Sequence, residues 1–184
     1  ASTTSSANGG KGVRNSSSNP SAQSSDGEVT VAAAIALTIA DVSSIAELPD
    51  GRTLTAGGAV VFRASQNADA ISNADGTAVH ATSAGIGAAV SLSVLELVNR
   101  AGLGQNTTVT ANGFTASATM TDVDGDRLHT TSSTAESGAG STDVAVAGSF
   151  ALNVATTITQ ALIPSTAVVS AGTGDVVLRA ENLR

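Results

Sequence analysis

Between Val29 and Ala40 bulky and small side chains alternate residue by residue. Val29, Val31, Ile35, Leu37 and Ile39 take the odd positions, and Thr30, Ala32, Ala34, Ala36, Thr38 and Ala40 take the even ones. A period of two is that of a β-strand, whose successive side chains point to opposite faces. The alternation recurs twice. Ile86, Val90, Leu92 and Val94 oppose Gly87, Ala89, Ser91 and Ser93, and Val144, Val146, Phe150, Leu152 and Val154 oppose Ala145, Ala147, Ser149, Ala151 and Asn153. Wound as a helix, these bulky residues would point all around the wheel. The alternation and the Val, Ile and Thr enrichment therefore override the helix propensity of alanine.

The three strands belong to a repeat. Residues 13–57 lie over 128–172 without a gap, and a further copy runs roughly from Val79 to Ala118. Each copy continues into a short second strand, seen as Thr53-Leu54-Thr55, Thr108-Val109-Thr110 and Val168-Val169-Ser170. A Gly- or Asn-containing corner follows, then a third strand at Val60–Ala64, Phe114–Ala118 and Val176–Ala180. The spacings from Ile35 to Ala56, Val90 to Ala111 and Phe150 to Ala171 are equal. The segments between copies vary, and the middle copy lacks part of the Ser-rich arc seen as Ser16 to Ser25 and Thr130 to Ser141.

Self-similarity at such a long period implies stacked units that bury their apolar faces on one another. The expected fold is all-β, a repeat β-solenoid (β-helix-like) of about three stacked units. Residues 1–12 are expected to connect from a preceding unit. Residues 13–184 are expected to form one array with units about 13–64, 65–118 and 119–184. Ile35, Val90 and Phe150 should then lie one above another. The bulky rows are expected to bury at each layer, and the small-residue faces to form either a second core layer or an assembly surface. The leading strands exceed the usual five to six residues, which favours a broad or flattened coil.

Composition supports thin, regular layers. Apolar residues make up 41%, yet there is no Trp or Tyr and the only phenylalanines are Phe62, Phe114 and Phe150. Burial must come from many small side chains instead of the aromatic rings that usually dominate a compact core. Formal net charge is −7 and Lys11 is the one lysine, which gives no electrostatic footprint for nucleic acid or anionic lipid. The absence of cysteine excludes disulfides and thiolate metal sites. No run of about 18 apolar residues is present, so no transmembrane helix is expected. The chain begins at Ala1 and its ends fall inside repeat units, as expected of a piece of a larger polypeptide.

The strand Val144-Ala145-Val146-Ala147-Gly148-Ser149-Phe150-Ala151-Leu152-Asn153-Val154, its Thr break and the ending Val169-Ser170-Ala171-Gly172-Thr173-Gly174-Asp175-Val176-Val177-Leu178-Arg179-Ala180 resemble the large β-strand-repeat exoproteins of bacteria. These are similar to filamentous haemagglutinin-type adhesins and autotransporter passengers. The resemblance covers most of the chain from about Val13 onward. It implies an extracellular or cell-surface β-solenoid used for reach, adhesion or assembly.

Few residues invite chemistry. Asp122, Asp124 and Asp126 alternate around Gly125 and could give calcium three of the oxygen ligands it needs. An Asp-Gly turn entering the next strand explains the same run. In the alignment above, Asn73-Ala74-Asp75-Gly76-Thr77 is its counterpart, and His80, His129 and Arg14 share one repeat position. Two imidazoles beside an arginine make a poor metal site. No carboxylate pair recurs across copies, so catalysis is not expected, and no cofactor is expected beyond the candidate calcium. The composite expectation is a structural segment of a bacterial fibrous protein: an adhesin shaft, stalk or filament subunit. Its partners would be further repeats of the parent chain or copies of itself. The alternative is a surface module that recognises a glycan or host receptor through its Ser/Thr-rich arcs.

Overall fold

In the computed structural model, residues 11–23 and 27–183 are described. They form an all-β fold without helix. The strands in chain order are β1 (Lys11–Ser18), β2 (Ser21–Gln23), β3 (Gly27–Leu48), β4 (Thr53–Thr55), β5 (Val60–Leu103), β6 (Thr108–Thr110), β7 (Phe114–Met120), β8 (Thr131–Ser141), β9 (Val144–Leu162), β10 (Val168–Ser170) and β11 (Val176–Ala180). An eight-stranded sheet is organised around the 44-residue β5, and β10, β6 and β4 form a three-stranded sheet. Every pairing between these strands is parallel.

Strand β5 is the middle of three levels. On one side it pairs with β1, β2 and β3, and on the other with β7, β8 and β9. Ile35 pairs with Val90, and Val90 with Phe150, as the alternation requires. Thr53, Thr108 and Val168 align in the same way, as do Val60, Phe114 and Val176. The repeat in the sequence is thus the register of the sheet.

Strand β5 doubles back on itself near His80, whose φ of 59° is unusual for a non-glycine residue. Two legs face each other across each level. Ser72 Oγ donates to Leu92 O at 2.9 Å and Ser91 Oγ to Ser72 O at 2.8 Å. One level on, Ser133 Oγ donates to Leu152 O at 2.7 Å. The aligned residues Thr38, Ser93 and Asn153 donate to Ile71 O, Ser132 O and Thr131 O at 2.9, 2.7 and 2.9 Å. Thr38 and Ser93 each reach the level above their own, so they join the levels as well as the legs.

The gap between the legs is narrow. A Cβ on Gly76 would lie 1.8 Å from the Ala88 carbonyl oxygen, and one on Gly87 would lie 2.0 Å from that of Gly138. Small residues line it, and Ala34, Ala36, Ala74 and Ala89 fill it. The legs diverge toward the other end of each level, where a larger cluster collects Ala46, Val60, Leu103, Val109 and Phe114, with Phe62 against it. Each level is a wedge, thick at the three-strand end and thin at the bend.

This geometry corrects two expectations and locates a variation between copies. The bulky rows do not bury at each layer. They face outward, with Ile35 72% and Phe150 57% exposed, while Ala36 is 0% exposed. The physical reason is the narrow gap, which leaves no volume for long aliphatic or aromatic side chains. On β3 and β5 the small-residue faces are accordingly the interior, whereas on β9, at the end of the stack, both faces are exposed. The middle copy also has a complete arc, because residues 70–78 of β5 pair with 131–139 of β8. Finally, the third level carries an insertion. Gln66 sits beside Met120 but Ala70 beside Thr131, so residues 121–130 span what 67–69 span below.

Replacing Gly87 by valine forces a branched side chain into backbone. Gly87→Val is expected to lower the unfolding free energy in urea by about 3 kcal/mol or more, the upper range for overpacking. Gly148 lies on the outer face, where an added Cβ would meet nothing within 4 Å, and provides the control. Gly148→Ala is expected to be neutral or stabilising by about 0.5 kcal/mol. Equal effects at the two positions would contradict a narrow interior.

Candidate functional site

The two outer faces differ in chemistry. The outer face of β3, the second half of β5 and β9 carries matched rows: Val31–Ile86–Val146, Ala33–Ala88–Gly148, Ile35–Val90–Phe150, Leu37–Leu92–Leu152 and Ile39–Val94–Val154. All are apolar, and most of the large ones are exposed. The row Asp41–Glu96–Thr156 ends this band. Beyond it the face becomes mixed, and Arg100 pairs with Glu47 across two levels at 2.8 Å.

The opposite leg is more polar, with Asn73, Asp75 and Thr77 between Ile71 and Val79 on the outward side of β5. Asn19, Ser21, Asn73, Asp75, Thr134 and Glu136 border a shallow depression there. Asn73 Nδ2 donates to Asn19 Oδ1 at 2.9 Å, and Thr77 Oγ1 to Asp75 Oδ1 at 2.6 Å. The register places Thr131–Ser141 along one side of residues 70–81 and Ser16–Ser18 with Ser21 along the other. The two Ser/Thr-rich arcs therefore converge on one face, except for residues 24–26, which lie outside the described residues. Sequence comparison alone misses this convergence because it leaves the middle copy without part of its arc.

The three aspartates singled out above lie in the insertion. Val123 and Asp126 exchange backbone hydrogen bonds at 2.9 and 2.8 Å around Asp124 and Gly125, whose φ values are 51° and 89°. Positive φ at both central residues makes a tight turn of the hairpin type. Asp122 Oδ1 accepts from the Gly125 N–H at 2.9 Å, and Asp126 Oδ1 from the Leu128 N–H at 2.8 Å. Two of the three carboxylates thus brace the turn. Among the described residues no three His, Cys, Asp or Glu side chains gather in a group able to hold a metal ion.

Residues aligned by sequence at this point separate in space. Asn73–Thr77 lies beside Thr134–Gly138 and is not the counterpart of the aspartate turn. His80 marks the bend, whereas His129 aligns with Ala68 and is 5% exposed. The insertion interrupts the ladder here, and His129 Nδ1 accepts the Ala68 N–H at 3.1 Å. Asp69 Oδ1 accepts from the Thr130 N–H at 2.9 Å, and Asn67 Nδ2 donates to Asp126 O at 3.1 Å. These side chains replace the backbone partners that the insertion removes.

Removing either bracing carboxylate, as Asp122→Ala or Asp126→Ala, is expected to cost about 1 kcal/mol of stability. The loss is expected to be the same in calcium and in chelator, by thermal denaturation. A calcium-dependent rise in the melting temperature that either substitution abolishes would assign the turn to metal binding instead.

No helix is long and apolar enough to cross a membrane, among the described residues. Neither family models, curated proteins nor solved structures give this chain a significant match.

Proposed function

We propose that the chain is a structural segment of a secreted or cell-surface bacterial fibrous protein, serving as an adhesin shaft, stalk or filament subunit. In this reading the three levels are successive turns of a flattened β-solenoid and have no catalytic role. The observation that carries it is the parallel register repeated over the levels, from Ile35 through Val90 to Phe150. Such a stack satisfies backbone hydrogen bonds between levels, and each added level extends it without changing its cross-section. Strands β3 and β9 each pair on one side only among the described residues. An unpaired edge is a template for a further repeat or another chain. The resemblance to bacterial β-strand-repeat exoproteins, carried by the Val144–Val154 strand, points to the same class and to the cell exterior.

The convergence of the Ser/Thr-rich arcs around Asn19, Asn73 and Thr134 favours a second reading, a module that recognises a surface glycan or host receptor. The depression combines apolar surface at Pro20 and Ala74 with polar groups of Asn19, Asn73, Asp75, Thr134 and Glu136 from all three levels, which suits the mixed surface of a glycan.

At rising concentration, electron microscopy is expected to show rods growing along the stacking direction, with a repeat of about 4.8 Å in diffraction. Dispersed particles at every concentration would exclude the filament subunit. Ser132→Ala with Thr134→Ala is expected to leave both the rods and the melting curve unchanged. If the same pair abolishes binding to a glycan array, the recognition module is the correct reading. Antibody against the chain is expected to label intact producing cells without permeabilisation, and labelling only after lysis would exclude an exterior location.

A further inference from the structure

The outward apolar band has a relief of its own. The row Ile35–Val90–Phe150 forms a ridge, and the adjacent row Ala33–Ala88–Gly148 forms a groove of small residues beside it. The next rows on either side, Val31–Ile86–Val146 and Leu37–Leu92–Leu152, are bulky again. From residues 29 to 39, 84 to 94 and 144 to 154, no outward position carries a polar side chain.

We propose that this face pairs with the same face of a second copy of the chain, ridge into groove, in a face-to-face dimer. Consider a twofold axis along the stacking direction that passes between the ridge and the groove. It sets each ridge over the partner's groove. It also sets the Val31 row over the Leu37 row and the Val29 row over the Ile39 row. Asp41 then falls opposite Gly27 of the other copy, beside its exposed Glu28, and Glu96 falls opposite Thr82, so carboxylates approach one another only at the rim of the band. One operation matches every apolar row and leaves the charged residues at the rim, as a closed isologous interface allows. The match also continues through any number of levels.

The area suffices. A band eleven residues long and three strands wide covers roughly 500 Å² per copy at strand dimensions. Two such footprints reach the roughly 1,000 Å² that a specific interface needs. Sheets packed face to face sit about 10 Å apart with interdigitated side chains, as bulky rows alternating with a small-residue row allow. A lipid surface fits less well. The chain is acidic, with net charge −7, and carboxylates close the band, so anionic headgroups are repelled.

The inference needs only three levels and stands apart from the shaft reading. End-to-end growth gives an open series of rods, whereas face pairing gives a discrete species of twice the mass. Below the concentration at which rods form, sedimentation equilibrium of the chain is expected to fit a monomer–dimer equilibrium. Val90→Glu and Ile35→Glu, both at outward positions, are expected to give monomers with unchanged circular dichroism. Ala88→Phe makes the face more apolar but fills the groove, and is expected to weaken the dimer at least tenfold. Tighter association of Ala88→Phe would overturn ridge-into-groove pairing in favour of unspecific adhesion. A wild-type chain that stays monomeric at millimolar concentration would overturn it too, as would monomeric chain that floats with phosphatidylcholine vesicles.

Discussion

The close approach of two β-legs governs this molecule. Where the Gly76 and Ala88 backbones meet, not even a methyl group fits. That distance dictates an interior of Gly, Ala, Ser and Thr, with hydroxyls bonded to carbonyls of the facing leg. Bulky aliphatic side chains are thereby displaced to the outside. Small hydroxyl residues suit such a seam because Thr38, Ser72, Ser91 and Ser93 each find a backbone acceptor within reach, which offsets the cost of removing the hydroxyl from water.

The two ends of each level answer to different physics. At the thick end, Phe114, Val109 and Leu103 bury apolar area in the ordinary way, supported by the stacked corners. At Asp50 the carboxylate accepts from the Gln105 N–H at 2.7 Å, and Gln105 Oε1 in turn accepts from Thr166 Oγ1 at 2.5 Å. At the thin end, stability rests on the parallel ladder and the seam of hydroxyl bonds. The exposed aliphatic rows above that seam are the consequence for association, since an uncharged, ridged sheet face in water favours burial against a matching one.

Much of this is legible in the chain. The period of two gives the strands, and the equal spacing of Ile35–Ala56, Val90–Ala111 and Phe150–Ala171 gives the register, because parallel stacking preserves residue offsets within each level. The direction of the faces is not legible. Alternation says that bulky and small residues lie on opposite sides of a strand, but only the distance to the facing leg decides which side is inside. The middle arc escapes the sequence for a different reason. Residues 65–78 match the other copies poorly, and the insertion at 121–130 displaces the frame on the third level. In the aspartate run, Asp-Gly serves a ligand set and a turn equally well, and hydrogen bonds from Gly125 and Leu128 distinguish its bracing role only in three dimensions.

Because the chain lacks cysteine, single-cysteine variants probe the inverted layering without interference. Maleimide labelling of Ile35→Cys and Phe150→Cys, at dilution low enough to keep copies apart, should proceed as fast as in urea-unfolded chain. Labelling of Ala36→Cys and Ser91→Cys should be slowed at least a hundredfold by their burial. Protection at Ile35 and Phe150 together with rapid labelling at Ala36 and Ser91 would place the bulky rows inside and contradict the account.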